Sequence, residues 1–461
     1  LRAMSNQAAA SAIHAALTRN VRREHGFESM EVEGRLPTDL AGTLYRVGPG
    51  LFERFGRRVN HPFEADGAVS AVRIGAGTAE GAVRVVRGRG FQEEEAAGRH
   101  LYGSNARVVD RLPRSLRGQR KNVANTSPLV FQGRLFAQVE LALPTELDLG
   151  LHTLGEQDFG GVLHGMSAHP HRVASLGTTF NFHVHYGRDT RLELLALPDR
   201  GPVRSLGGFP LPWAGLIHDF AVTETHVCVL LCPAKLVTHR ALLRLGSFDT
   251  WFRFHPELGA RLLIAPLSAP SEVRTLPLEP FWTWHIANAF ADGDGVAIDL
   301  SRYPDLDSLA EIGSGKLSAP PKLERLTVRG DGTSRFERFT EQPTEFPVVR
   351  PELVGRRHRF VWCQAEGRDA PSGVLRVDTE TGALEGYTPS DDEWLGEPVL
   401  APCGPREDDA YVLTHCLDRG RDRTCDSVLL ADRLADGPVC KLWFDAPLPI
   451  SFHGAWVPEQ R

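Results

Sequence analysis

The sequence predicts an all-β fold with a helical insertion, and three observations carry that reading. Short runs rich in Val, Leu and aromatic residues recur from one end of the chain to the other. Turn residues separate them: 45 glycines and 32 prolines among 461 residues are more than the usual share and favour frequent turns over long helices. No regular alternation with helices accompanies the runs, so a sandwich, barrel or propeller fits better than a parallel α/β sheet. Hydrophobic residues at 42% and charged residues at 24% are ordinary for a globular chain with a sizeable core, which excludes disorder, collagen and coiled coil.

Leu1, Arg2 and Ala3, ahead of Met4, read as an appended remnant, and residues 5–25 as a short polar helix or loose arm. Residues 26–461 read as one domain. Its strand signals are GTLYRVG (42–48), AVRVVRG (82–88), SPLVFQGRLFAQVE (127–140), HVCVLLCP (226–233), GVAIDL (295–300), RFVWCQA (359–365), DAYVLTHCLD (409–418) and SVLLADRL (427–434). Most are short and apolar between breakers, as strands are. Helical periodicity is confined to residues 305–317, interrupted by glycines, and 233–254, where Leu236, Leu242, Leu245, Phe248 and Trp251 lie among basic residues. The absence of a WD, kelch or other clean repeat leaves the blade or strand count open.

The formal net charge is −6 and no Lys/Arg block could track a phosphate backbone, so nucleic acid is not an expected partner. Seven cysteines, an odd number without a CxxC pair, suit a reducing compartment. The first residues lack a signal peptide's basic and apolar regions, and no run reaches about 18 apolar residues. A cytoplasmic location is expected. GxSxG and GxGxxG are absent, and Gly313-Ser314-Gly315-Lys316 is followed by Leu317 where a phosphate-binding loop needs Ser or Thr. The sequon Asn125-Thr126-Ser127 reads as chance.

Among 18 histidines, four sit in strongly apolar, aromatic segments where an unpartnered imidazole is costly to bury. They are His169 in GMSAHPH, His218 in WAGLIHDFAVT, His285 in EPFWTWHIANAF and His453 in APLPISFHGAW. Their wide spacing suits ligands from separate strands converging on one axis, and not an HExxH helix or a zinc finger. Residue types alone leave a shared metal and four satisfied core histidines both open. Two HxH pairs compete for the metal, His169 with His171 and His183 with His185, each pair sharing one face if its segment is a strand. For His183 and His185 a solvated face is the preferred reading.

With these flanks in view, the chain resembles the carotenoid cleavage oxygenase family. Nine motifs appear in order: GRLPTDLAGTLYRVGPG (34–50), HPFEADGAV (61–69), VANTSPLVFQGRLFAQVE (123–140), SAHPH (167–171), HDFAVTETHVCVLLCP (218–233), WHIANAF (284–290), EFPVVRPELVGRRHRFVW (345–362), GEPVLAP (396–402) and FHGAWVP (452–458). The resemblance implies a seven-bladed β-propeller with a dome of helices and loops over one face, the dome including about 233–254. It implies non-haem Fe(II) held by His169, His218, His285 and His453. It implies that Glu140, Glu345 and Glu397 take the outer N–H of ligand histidines, fixing tautomer and ring orientation; alone, each would read as a solvated strand or turn residue. Thr126 matches a small residue narrowing access to an open coordination position.

The implied reaction is O2-dependent cleavage of one C=C bond in an apolar polyene, a carotenoid or apocarotenoid, giving two carbonyl products. Trp282, Trp284, Phe220 and Phe452 are candidate tunnel walls. Two departures stand out. Glu64-Ala65-Asp66-Gly67 replaces the usual Asp-Gly-Asp-Gly, with a structural effect expected, and Val139 replaces the Lys by which stilbenoid cleavers bind a phenol. The rival readings are a phenylpropanoid or stilbenoid cleaver, an isomerohydrolase, and a non-catalytic propeller that binds partners. Residues 236–254 are expected to form an amphipathic helix making a peripheral membrane contact.

Overall fold

The computed structural model describes residues 14–312, 317–365 and 373–459. Seven antiparallel sheets of four or five strands stand around one axis as the blades of a β-propeller. Alternation makes each blade. In the strands Thr178–His185 and Arg191–Pro198, Phe180, Phe182 and Val184 join Leu192, Leu194 and Ala196 in one buried cluster with residues of the next blade. Each fully buried Phe, Leu or Val contributes about 1.5–3 kcal/mol, and because the cluster spans two blades the core lies mainly between them.

Seven strands border the axis, one per sheet: Ser127–Phe131, His171–Val173, Ala221–Val222, Trp282–Asp292, Thr344–Val348, Glu393–Pro402 and His453–Pro458. Three of them are bulged, with register shifts between Thr283 and Ile286, between Glu345 and Val348, and between Leu395 and Pro398. A bulge bends its strand and re-aims side chains, here at the axis.

Two adjacent blades draw strands from both ends of the chain. One orders His25–Ser29, Thr78–Val85, Asp66–Gly75 and Gly42–Leu51 before His453–Pro458, and the other pairs Glu31–Gly34 with Cys440–Trp443. Arg46 seals this seam. Its side chain is buried, with Nε donating to Asp426 Oδ1 at 2.9 Å and Nη2 to the Leu413 carbonyl at 3.0 Å.

The predicted strands are present, while the helices differ from expectation. Residues 233–254 do not form one helix. Ala234–Leu236 pairs with Phe252–Phe254 as a hairpin, enclosing a six-residue helix, Thr238–Leu243, and a 3-10 turn, Phe248–Trp251. The reason is local: Arg244 (φ 53°) and Gly246 (φ 75°) take left-handed conformations that end a helix. Its apolar residues divide accordingly. Leu236, Phe248, Trp251 and Phe254 pack on the core, and Leu242 and Leu245 are exposed. Of residues 305–317, only Ser308–Glu311 is α-helical, and 313–316 lie outside the described residues. Two further helices, Arg89–Ala97 and Val108–Leu116, are missed by the sequence reading; the second contains Pro113, which argues against a helix, although Val108, Leu112 and Leu116 recur at helical spacing. From residue 14 the N-terminal arm is not loose: Leu17 is buried, its carbonyl accepts from Ile450 N at 2.8 Å, and Arg58 donates to the Thr18 carbonyl at 2.6 Å.

Candidate metal centre

Four chain segments deliver one histidine each to the axis. His169 and His218 lie in loops just before the inner strands His171–Val173 and Ala221–Val222. His285 occupies the bulge in Trp282–Asp292, and His453 begins the last strand. Their candidate ligand nitrogens all lie within 4.8 Å of one another, the only such group among the described residues. His169 Nε2 and His218 Nε2 are 2.9 Å apart.

Carboxylates fix three of the rings from behind. Nδ1 of His218, His285 and His453 lies 2.7 Å from Glu140, 2.6 Å from Glu345 and 2.8 Å from Glu397. A carboxylate accepts, so each Nδ1 carries the proton and each Nε2 presents its lone pair to the axis. The carboxylates are themselves anchored. Tyr303 donates to Glu345 at 2.9 Å, Gly454 N to Glu397 at 2.6 Å, and Thr126 Oγ1 lies 3.5 Å from Glu140. Phe346 N also donates to Glu345.

This donor set fits a cation. Nε2 of His285 is buried without a hydrogen-bond partner, a costly state that a metal ion would relieve. Burial, reinforced by the neighbouring imidazoles, holds His169 and His285 well below the ordinary histidine range, so both are neutral and able to coordinate. His453 is raised: burial opposes its proton, but Glu397 outweighs burial. Burial pushes Glu345 up to about 7, whereas in Glu140 the neighbouring His218 overcomes burial and lowers it. Three nearby carboxylates would offset the charge of a divalent ion held by these imidazoles.

The aromatic surroundings only partly match the sequence reading. The Trp284 ring meets His218 edge-on at 4.8 Å and Phe63 at 6.0 Å, and Phe63 meets Phe452 at 5.5 Å. Trp282 stands behind Trp284. Phe220 turns away, against His171 and Phe182, and is not beside the ligands. Phe346, inside the motif at 345–362 but given no role by it, stacks on His285 at 4.7 Å; its φ of 49° and its place in a bulge are not legible from residue type.

The HxH pairs do not chelate. His171 leaves His169 and reaches Asp219 at 2.8 Å. His183 and His185 lie away from the axis, with His185 Nε2 2.7 Å from Glu193. In Glu64-Ala65-Asp66-Gly67 the acids are structural: Glu64 accepts from Ser104 at 2.7 Å, and Asp66 meets Arg54 at 2.7 Å and Lys121 at 2.5 Å.

The chain matches the retinal pigment epithelial membrane protein family over residues 18–458. It is 30% identical over 456 residues to an apocarotenoid-15,15'-oxygenase of Synechocystis, covering 93% of this chain and 92% of that one. A carotenoid cleavage oxygenase of Mycobacterium tuberculosis is 25% identical over 93% of this chain and 94% of its own. An isoeugenol monooxygenase of Pseudomonas nitroreducens is 27% identical at the same two coverages. A solved structure of a Synechocystis apocarotenoid oxygenase mutant superposes with a TM-score of 0.89 at 28% identity, covering 97% of this chain and 99% of that one. A cobalt-substituted form superposes at 0.86, with the same identity and coverages.

Proposed function

Because the chain belongs to the retinal pigment epithelial membrane protein family of carotenoid oxygenases, we propose that it cleaves one C=C bond of a carotenoid or apocarotenoid with O2. One alkene and one O2 give two carbonyl products, so both oxygen atoms are accounted for without a reductant. The observation that carries this reading is the convergence of four imidazoles, three of them backed by carboxylates, on the axis.

Imidazole ligands suit Fe(II), which when bound supplies the redox chemistry that lets O2 react with an alkene. His169, His218, His285 and His453 would hold it. Glu140, Glu345 and Glu397 keep the Nδ1 protons in place, so that each backed ring offers only Nε2. Trp284, Phe63, Phe452 and Phe346 give a polyene an apolar, water-excluding wall. Thr126, buried beside Glu140, narrows the approach on that side. No side chain is needed as general acid or base, and selectivity rests on which double bond the wall holds over the metal.

The isoeugenol monooxygenase relative supports a second reading, in which the alkene is a phenylpropanoid; Val139, apolar where stilbenoid cleavers carry Lys, favours the polyene. The test is product mass spectrometry after the Fe(II)-loaded protein meets a panel of carotenoids, apocarotenals and stilbenoids under 18-O dioxygen, with rapid reduction of the products. Two labelled fragments from a polyene are expected. Label in one fragment, cleavage of stilbenoids alone, or isomers without cleavage would each overturn the proposal.

The partner reading extends to a lipid surface. Val108, Val109 and Leu116 on one dome helix, Leu242 on its neighbour and Leu245 just after that neighbour's end are exposed. A polyene resident in a bilayer could pass from it to the dome without crossing water. No helix among the described residues is long and apolar enough to cross a membrane. All seven cysteines are free, six of them buried, which fits a reducing cytoplasm.

A further inference from the structure

A fourth carboxylate stands among the ligands without facing the metal position. Asp219 directly follows His218 and is 5% exposed. Its Oδ1 lies 2.8 Å from His171 Nε2 and accepts from Phe220 N at 2.7 Å. Its Oδ2 accepts from Ile286 N at 2.7 Å. His171 is two residues beyond His169, and Ile286 directly follows His285 in the bulged strand, whose inner edge would otherwise leave that N–H unpaired. One carboxylate thus grips three of the four ligand-bearing segments, from three consecutive blades.

We propose that Asp219, with His171 as its counterpart, is a positioning residue that sets the spacing of His169, His218 and His285, so that metal affinity depends on a group that never touches the metal. This rests on reading the four histidines as metal ligands. A carboxylate is the fitting group here, because three donors converge on it and it can only accept. An Asn amide of the same shape would turn its NH2 against at least one of those N–H groups. His169 has most to lose, since no Glu braces its ring as Glu140, Glu345 and Glu397 brace the others.

The experiment is titration of the metal-free protein with Co(II), following affinity and the visible absorption of the bound ion, alongside thermal melts without metal. One Co(II) per wild-type chain is expected, and none would overturn the metal reading itself, not the role of Asp219. Asp219→Asn and His171→Ala should each weaken Co(II) binding about 10- to 100-fold, the usual cost of losing an outer partner, with an altered spectrum. His171→Gln, which keeps an N–H donor, should recover most of the affinity. Wild-type affinity and spectrum in Asp219→Asn, even with a lowered melting temperature, would reduce the carboxylate to a folding element. If Asp219→Asn fails to fold, the His171 pair decides: equal, wild-type binding in the Ala and Gln variants overturns the proposal.

Discussion

The histidines and their carboxylates differ in what removal does. His285→Ala deletes a ligand, and the expected result is loss of activity with less bound metal by elemental analysis. Glu→Gln at 140, 345 or 397 keeps shape while removing charge, and each should cost about 10- to 100-fold in metal affinity or turnover. Wild-type metal content and rate in all three Gln variants would leave the carboxylates merely structural. The four histidines stand out in the sequence because apolar flanks make a buried imidazole conspicuous. Glu140, Glu345 and Glu397 become visible only through their motifs, since a lone Glu in a strand carries no sign of its partner. Asp219 and Phe346 are illegible for another reason: their roles depend on segments 48 to 67 residues away and on a bulge, which no local pattern encodes.

Elements divide the same way. Strands such as Gly295–Tyr303 and Ala410–Asp418 are legible because Val, Leu and aromatic runs between breakers have few alternatives. The helices are less so, since they are short and the acidic group on one of them works through burial. Glu94, on the helix Arg89–Ala97, is almost fully buried, with Oε2 2.7 Å from Lys121 and 3.0 Å from Arg54, and Oε1 accepting from Leu101 N. Burial alone would raise its carboxyl, but His100, Lys121 and the Leu101 N–H lower it to about 2. A depressed carboxylate stabilises the fold fully above its ordinary value of 4.5 and loses that contribution as pH falls towards 2. Glu94→Gln should therefore lower stability by a few kcal/mol, about 3 at neutral pH, and the gap from wild type should close on acidification; a pH-independent gap in chemical melts would contradict this. For the exposed dome residues, Val109→Asp with Leu242→Asp should reduce co-sedimentation with liposomes while leaving the melting temperature within a few degrees. Trp251 is unsuitable for that test because it packs inward.

At the scale of the molecule, closure rests on the two blades that share both termini. Arg46 and Asp426 form a fully buried pair across that seam, and removing one partner of such a pair typically costs about 3–5 kcal/mol. Arg46→Met is expected to lower the denaturation midpoint accordingly without changing the slope; a change within about 0.5 kcal/mol, as for an ordinary surface site, would show that strand pairing alone holds the ring. The all-β class follows from the sequence by pattern, but the number of blades does not, because the repeats share geometry and not residues. That number came with the motifs' resemblance to a family, and the seven sheets bear it out.

The seam also orders the protein's birth. Gly42–Leu51 leaves the ribosome some four hundred residues before its inner neighbour, His453–Pro458, the last of the described strands. Until then an edge with unpaired N–H and C=O groups stays open to whatever strand drifts past, and the nascent chain can present at most three of its four imidazoles. The residue that completes the histidine set rides on the strand that completes the ring, so full occupancy of the site would also certify that the chain has closed on itself.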